Sequence, residues 1–156
     1  MACRPILLGP LATDKTITAW IALQATPLEI GPLEFSAGSH QIVKGRELAI
    51  SDNSEMILQQ KLKVTDFKHV IEPFDLGEVS FHSGWVFHRA GANTTSQMRK
   101  VMTAIFMDKD MLLKDPENKN QVNDSNTWCP GAVIGSVIDP PLNPVLFSRE
   151  VANISK

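Results

Sequence analysis

Turn-forming residues cut this chain into short pieces. Gly31-Pro32, Pro73, Gly84 and Pro140-Pro141 break up its apolar stretches, and the pieces between them read mostly as strands. Ile17, Ala19, Ile21 and Leu23 alternate with Thr18, Trp20, Ala22 and Gln24, which is the period of a strand. Leu33 to Phe35, Phe67 to Ile71, Val79 with Phe81, Trp85 to His88, and the alternating Val101 to Met107 read as further strands. One helix is expected where Asp52 and Glu55 stand at capping-box spacing ahead of Met56, Ile57, Gln60 and Lys61, ending near Lys63. Lys109 to Asn126 is polar and reads as a surface loop with some helix. The Pro-punctuated tail from Trp128 is expected to wrap the surface rather than enter a sheet. Short strands between Gly/Pro turns predict a mostly β sandwich or jelly roll with one or two short helices, in a single domain spanning 1–156.

Charge and cysteine usage remove several function classes. Fifteen basic and 17 acidic residues give a net charge of −2, and no Lys/Arg stripe is present, so neither nucleic acid nor a membrane surface is an expected partner. Cys3 and Cys129 form no metal-spaced pair and read as free thiols of a reducing compartment. The apolar run Ile6 to Leu8 is too short for a secretory signal or a membrane span, so a cytoplasmic location is expected. The glycosylation patterns at Asn93 and Asn153 read as chance matches in that setting.

The chemistry-bearing residues are few. Neither a Ser/His/Asp order nor a phosphate-cradling Gly-rich loop is present, and the histidines are His40, His69, His82 and His88. His82 and His88 share parity along one strand-like run. In a straight strand they would stand roughly 20 Å apart, so at most one is a ligand unless Gly84 bends the run sharply. His88 is the better candidate. It ends an apolar strand, a loop follows, and Arg99 opens the return strand. A hairpin would set His88 and Arg99 on neighbouring strands roughly 5–10 Å apart. That separation suits a dicarboxylate with one end on a metal and the other in a guanidinium fork. An imidazole with open positions suits non-haem iron when a second His and a carboxylate join it. A strand histidine hydrogen-bonded in the interior and a salt-bridged surface arginine account for the same two residues. His82 reads as structural, His69 as a strand or surface residue, and the Asp residues between Asp110 and Asp124 as a solvated loop.

Four segments carry a family resemblance. Gly77-Glu-Val-Ser-Phe-His-Ser-Gly-Trp-Val-Phe-His-Arg-Ala-Gly-Ala-Asn-Thr-Thr-Ser-Gln-Met-Arg99 resembles the distal-histidine strand and arginine of the phytanoyl-CoA dioxygenase family, in which the two residues stand eleven apart, as His88 and Arg99 do. Thr16 to Leu23 resembles the strand that follows the family's proximal metal motif. Gly31-Pro-Leu-Glu-Phe-Ser-Ala-Gly-Ser-His40 resembles its Gly-x-Leu … Pro-Gly-Ser-His element, with Ala37 where Pro is usual, and Trp128 to Leu146 resembles the tail of a bacterial branch. Each is weak alone; in this order, from about Leu11 to Phe147, they are specific.

The resemblance implies a double-stranded β-helix, a jelly-roll or cupin-like barrel incomplete at its amino end, and an iron(II)- and 2-oxoglutarate-dependent dioxygenase that hydroxylates a small organic substrate. It implies His88 as an iron ligand, Arg99 as the anchor of the far 2-oxoglutarate carboxylate, Trp20 in the cosubstrate pocket and His40 at the site rim. Trp20 as plain packing and His40 as a turn residue explain those two positions equally well. The family's His-x-Asp motif, which would supply the other two iron ligands, should fall near Cys3 to Pro5. The chain reads Ala2-Cys-Arg-Pro5 there and has no His-x-Asp anywhere. The rivals to an active oxygenase are a jelly-roll module that binds a ligand without oxidising it and an inactive gene fragment. An incomplete barrel would expose strand edges and invite self-association.

Overall fold

The computed structural model describes residues 9–42, 56, 57, 60 and 67–149. Met56, Ile57 and Gln60 are helical, as the Asp52 capping pattern predicts; the rest of that helix, like Cys3 to Pro5, lies outside the described residues. The chain divides into two compact units, Asp14–Met107 and a second formed by 9–13 with 108–149.

The first unit is two antiparallel three-stranded sheets. The strands are β1 (Thr16–Ala22), β2 (Leu33–Ala37), β3 (Lys68–Ile71), β4 (Val79–Ser83), β5 (His88–Ala90) and β6 (Val101–Met107). One sheet has the order β4-β1-β6 and the other β3-β2-β5. Among the described residues they do not close into a barrel.

Register decides what lies between the sheets. Directly paired residues share a face. In the first sheet Thr18 pairs His82 and Ile105, Trp20 pairs Ser80 and Thr103, and Ala22 pairs Val101. This is the inner face. Trp20 and Ala22 cluster with Leu33 of the second sheet and with Phe74, and Phe35, Ala90 and Val101 pack around them. Trp20 lies tilted against Phe74 with ring centres 4.8 Å apart. The other parity of β1 faces away: Ile17 pairs Phe106, Ala19 pairs Phe81, and Ile21 pairs Val79 and Met102. That face keeps Phe81 65% exposed and Met102 54% exposed. Both parities of β1 are apolar, so alternation marked a strand without saying which side is inward.

Among the described residues the second unit has no sheet. Bridges join Leu11 to Leu113 and Leu112 to Val137, and Met111, Leu113, Ile138 and Cys129 are buried. Its helix α1 (Lys119–Trp128) is capped by Asn118, whose side chain accepts from Gln121 N at 3.0 Å. Gln121 in turn accepts from Glu117 N at 2.7 Å. The Asn118-x-x-Gln121 spacing was the visible signal for a helix in this polar stretch. Among the described residues the tail after Ile138 forms neither helix nor strand, in line with its prolines. No helix among the described residues is long and apolar enough to cross a membrane.

Candidate functional site

The stretch from His82 to His88 is not one straight strand. Ser83 to Val86 is a turn, closed by Val86 N donating to Ser83 O at 3.1 Å, with Trp85 N on Ser83 Oγ at 3.2 Å. Gly84 allows it: a Cβ at this position would collide with Oγ1 of Thr16, whose carbonyl accepts from Gly84 N at 3.2 Å. The turn carries the chain from β4 in one sheet to β5 in the other. The roughly 20 Å separation expected for a straight run is therefore replaced by direct ring contact. The His82 and His88 rings lie 4.8 Å apart, centre to centre, at 62°.

His82 reaches the space between the sheets from β4, where it pairs Thr18. His88 reaches it from β5, where it pairs Phe35. The Phe35 ring closes the group, 5.0 Å from His82 and 6.0 Å from His88. Both imidazoles are buried, at 9% and 6% exposure.

Each ring is held through Nδ1 by the residue two positions earlier. His88 Nδ1 lies 3.0 Å from Val86 O, and His82 Nδ1 lies 3.3 Å from Ser80 Oγ. A carbonyl only accepts, so the Val86 bond puts a proton on Nδ1 of His88. His82 Nε2 is buried and has no hydrogen-bond partner. Burial, with the neighbouring His88 adding to it, lowers the His82 pKa from 6.5 to about 4, so the ring is neutral near pH 7.

Phe87, just before His88, is pinned on both sides of its peptide. Its N–H donates to Ser39 Oγ at 2.8 Å, and its carbonyl accepts from Ser36 N at 2.9 Å. The Gly-Ser-His turn thus bears on the site through Ser39, which is fully buried, while His40 in the same 3-10 turn is exposed. Trp20 is a core residue at 6% exposure, and packing accounts for it.

Arg99 is not on a strand next to His88. Strands β5 and β6 belong to different sheets, and the intervening loop crosses between them. Thr94 N donates to Glu29 O at 2.9 Å, and Arg99 Nη1 donates to the carbonyls of Gly31 and Ile30. The hairpin expectation fails because ten residues are long enough to cross between sheets, whereas tight hairpins use two to five.

On the opposite face of the second sheet, Glu34 pairs Arg89. Its Oε2 accepts from Arg89 Nε at 2.8 Å and lies 2.9 Å from His69 Nε2. A cavity of about 40 Å³ is lined by Glu34, Phe35, Ser36, His69, Phe87, His88 and Arg89. That is room for a water or an ion and far below the size of an organic-ligand pocket. Sequence reasoning passed over Glu34 and Ser39, and it allowed the meeting of His82 with His88 only if Gly84 bent the run sharply, because each depends on pairing across strands.

A non-haem iron shell of two imidazoles and one carboxylate is met here only in part. Two buried imidazoles converge, one with an orphaned ring nitrogen, and no group of three or more metal-binding side chains lies among the described residues.

The family model described as Phytanoyl-CoA dioxygenase (PhyH) matches residues 4–101. No curated protein matches the chain. Among solved structures, the non-heme alpha ketoglutarate dependent epimerase SnoN from nogalamycin biosynthesis superposes with a TM-score of 0.69 at 24% identity, over 92% of this chain and 53% of that one. The non-heme alpha ketoglutarate dependent carbocyclase SnoK superposes with a TM-score of 0.64 at 25% identity, over 86% and 52%. SnoN in complex with Fe3+, alpha ketoglutarate and nogalamycin RO gives 0.68 at 21% identity, over 91% and 55%. The chain spans about half the length of the structures it matches.

Proposed function

This chain belongs to the phytanoyl-CoA dioxygenase family, and on that premise we propose that it carries the distal-histidine part of an iron(II)- and 2-oxoglutarate-dependent dioxygenase acting on a small organic molecule. The observation that carries the reading is His88: a buried imidazole between two sheets, its Nδ1 held by Val86 O. A metal-binding histidine is commonly oriented in this way by a carbonyl on its other nitrogen. The SnoN complex with Fe3+ and alpha ketoglutarate supports the same metal and cosubstrate for this fold.

Iron with 2-oxoglutarate supplies the oxidising chemistry when bound; the protein supplies position and charge. His88 would hold one corner of the metal. The Ser39–Phe87–Ser36 tether would keep that corner fixed. Arg99 would anchor the far carboxylate of 2-oxoglutarate by exchanging its carbonyl partners at Ile30 and Gly31 for a bidentate ion pair. His40 would sit at the rim of the site, and Trp20 would back the cosubstrate through the core. The described residues include no carboxylate to complete the shell, so no reaction step is assigned to them. That incomplete set favours a second reading, a jelly roll that binds the dicarboxylate without turning it over.

The test is calorimetric titration of the 156-residue chain with 2-oxoglutarate under argon, with and without Fe(II), followed by succinate measurement in air. Arg99→Ala is expected to weaken 2-oxoglutarate binding by a few hundredfold, since stranding a buried carboxylate costs on the order of 3–5 kcal/mol. Arg99→Lys should recover only part of that, lacking the bidentate fork. His88→Ala should abolish the iron dependence of binding. Equal affinity in the unsubstituted chain and Arg99→Ala would remove the cosubstrate assignment. Binding without succinate is the outcome expected of the second reading.

A further inference from the structure

We infer that the outward face of the β4-β1-β6 sheet is an interface with a second copy of this chain, in which Phe81 of each copy seats on Ala104 of the other. The inference concerns the side of the sheet away from His88 and stands apart from the reading of the site.

The pairing registers set nine side chains on this face, in three rows across the strands. The first row is Ser83, Ile17 and Phe106. The middle row is Phe81, Ala19 and Ala104, and the last is Val79, Ile21 and Met102. None of the nine is charged, and only Ser83 is polar. Phe81, Met102, Ile17, Phe106 and Val79 are between 37% and 65% exposed. They offer on the order of 400 Å² of apolar surface, the size at which such a patch marks an association site.

With no charge on the face, the distribution of side-chain size is what selects a partner. Down the β4 edge the residues are Ser83, Phe81 and Val79; down the β6 edge they are Phe106, Ala104 and Met102. In each row the larger residue on one edge stands across from a smaller one on the other edge. A two-fold axis parallel to β1, midway between two facing sheets, lays the β4 edge of each copy on the β6 edge of the other, row on row. Phe81 then stands over Ala104, Phe106 over Ser83 and Met102 over Val79. Ile17, Ala19 and Ile21 meet their own counterparts along the axis. A two-fold axis across the strands would instead set Phe81 on Phe81 and Phe106 on Met102. Facing sheets pack about 10 Å apart, a gap that a phenylalanine opposite an alanine fills and two phenylalanines overfill. A second copy supplies the matching pattern with its edges reversed, and the contact closes on itself.

The two copies together would bury about 800 Å². That is short of the roughly 1,200 Å² of a standard interface and within the range of transient ones. The dimer should therefore form on the order of tens to hundreds of micromolar and dissociate on dilution.

The test uses the intact chain. Sedimentation equilibrium should show a monomer–dimer equilibrium. A mixture of 13C-labelled and unlabelled chains should give a nuclear Overhauser contact between the Phe81 ring and the Ala104 methyl group across copies. Within one copy these groups lie two strands apart, about 9–10 Å, too far for that signal. Phe81→Ala removes the knob and Ala104→Phe fills its seat, and each alone should weaken dimerisation at least tenfold. Mixed one to one, the two variants should recover it as a heterodimer, because each supplies what the other lacks. A monomer at every concentration overturns the inference and leaves the face to a different partner. A dimer without the Phe81–Ala104 contact, or one that neither variant weakens, overturns it too, as does a mixture no tighter than either variant alone. Should Ala104→Phe fail to fold, the contact across copies in the unsubstituted chain still decides.

Discussion

Arg89 Nε donates to Glu34 Oε2 at 2.8 Å across the β2–β5 ladder, and the two partners differ sharply in burial: the Glu34 side chain is 9% exposed and that of Arg89 38%. The asymmetry predicts an order of effects. Arg89→Ala strands a buried carboxylate with His69 beside it, at a cost of about 2–3 kcal/mol. Glu34→Gln leaves a guanidinium that can turn to water and should cost about 1 kcal/mol. Urea denaturation of both variants checks the order; a larger loss for Glu34→Gln would show that the pair is not held by the buried carboxylate.

The metal-free chain should lose stability on mild acidification. The His82 pKa is lowered from 6.5 to about 4 in the folded state, first by burial and then by His88. The unfolded chain therefore takes up a proton that the folded chain resists. The stability from keeping this ring neutral is complete above about pH 6.5 and is lost as pH falls toward about 4, amounting to on the order of 1–2 kcal/mol by pH 5. Denaturation midpoints with a chelator present, at pH 7 and pH 5, should differ less in His82→Gln than in the unsubstituted chain.

Gly31→Ala should be among the more damaging loop changes, since Gly31 is buried. Gly31 has φ +77°, and an added Cβ would collide with Gly91 O. The left-handed backbone alone costs about 1–2 kcal/mol for a residue with a side chain, and the collision adds to it. The Gly31 carbonyl also receives Arg99, so the same change should weaken 2-oxoglutarate binding. A thermal midpoint unchanged from that of the unsubstituted chain would contradict the close packing of residues 31 and 91.

The outward face of the β4-β1-β6 sheet should make the chain self-associate. Phe81, Met102, Ile17, Phe106 and Val79 are 65%, 54%, 43%, 39% and 37% exposed on one face. A contiguous apolar surface of this kind marks an association site. Sedimentation velocity should show a weight-average mass that rises with concentration, and Phe81→Lys, outside the His82–His88 site, should suppress the rise. A concentration-independent monomer would show that this face is tolerated in water.

Local chemistry alone determined much of this protein. Alternation at Ile17 to Leu23 and Val101 to Met107 became β1 and β6, and the breaks at Gly31-Pro32, Pro73 and Gly84 fell between elements, because strand period and turn preference act over a few residues. The four ordered segments, the His88–Arg99 spacing and the Gly-Ser-His turn among them, were likewise enough for the family resemblance. Three things were decided only by tertiary structure. The inward side of β1 is the Thr18, Trp20, Ala22 side; with apolar residues at both parities, only packing against Leu33 and Phe74 selects it. Arg99 meets the Ile30 and Gly31 carbonyls rather than a strand beside His88, because a ten-residue loop can reach either sheet and its own sequence favours neither. His82 and His88 touch because one turn at Gly84 sends consecutive strands into opposing sheets. Strand period places side chains above or below a sheet; which sheets then face each other is a property of the whole chain.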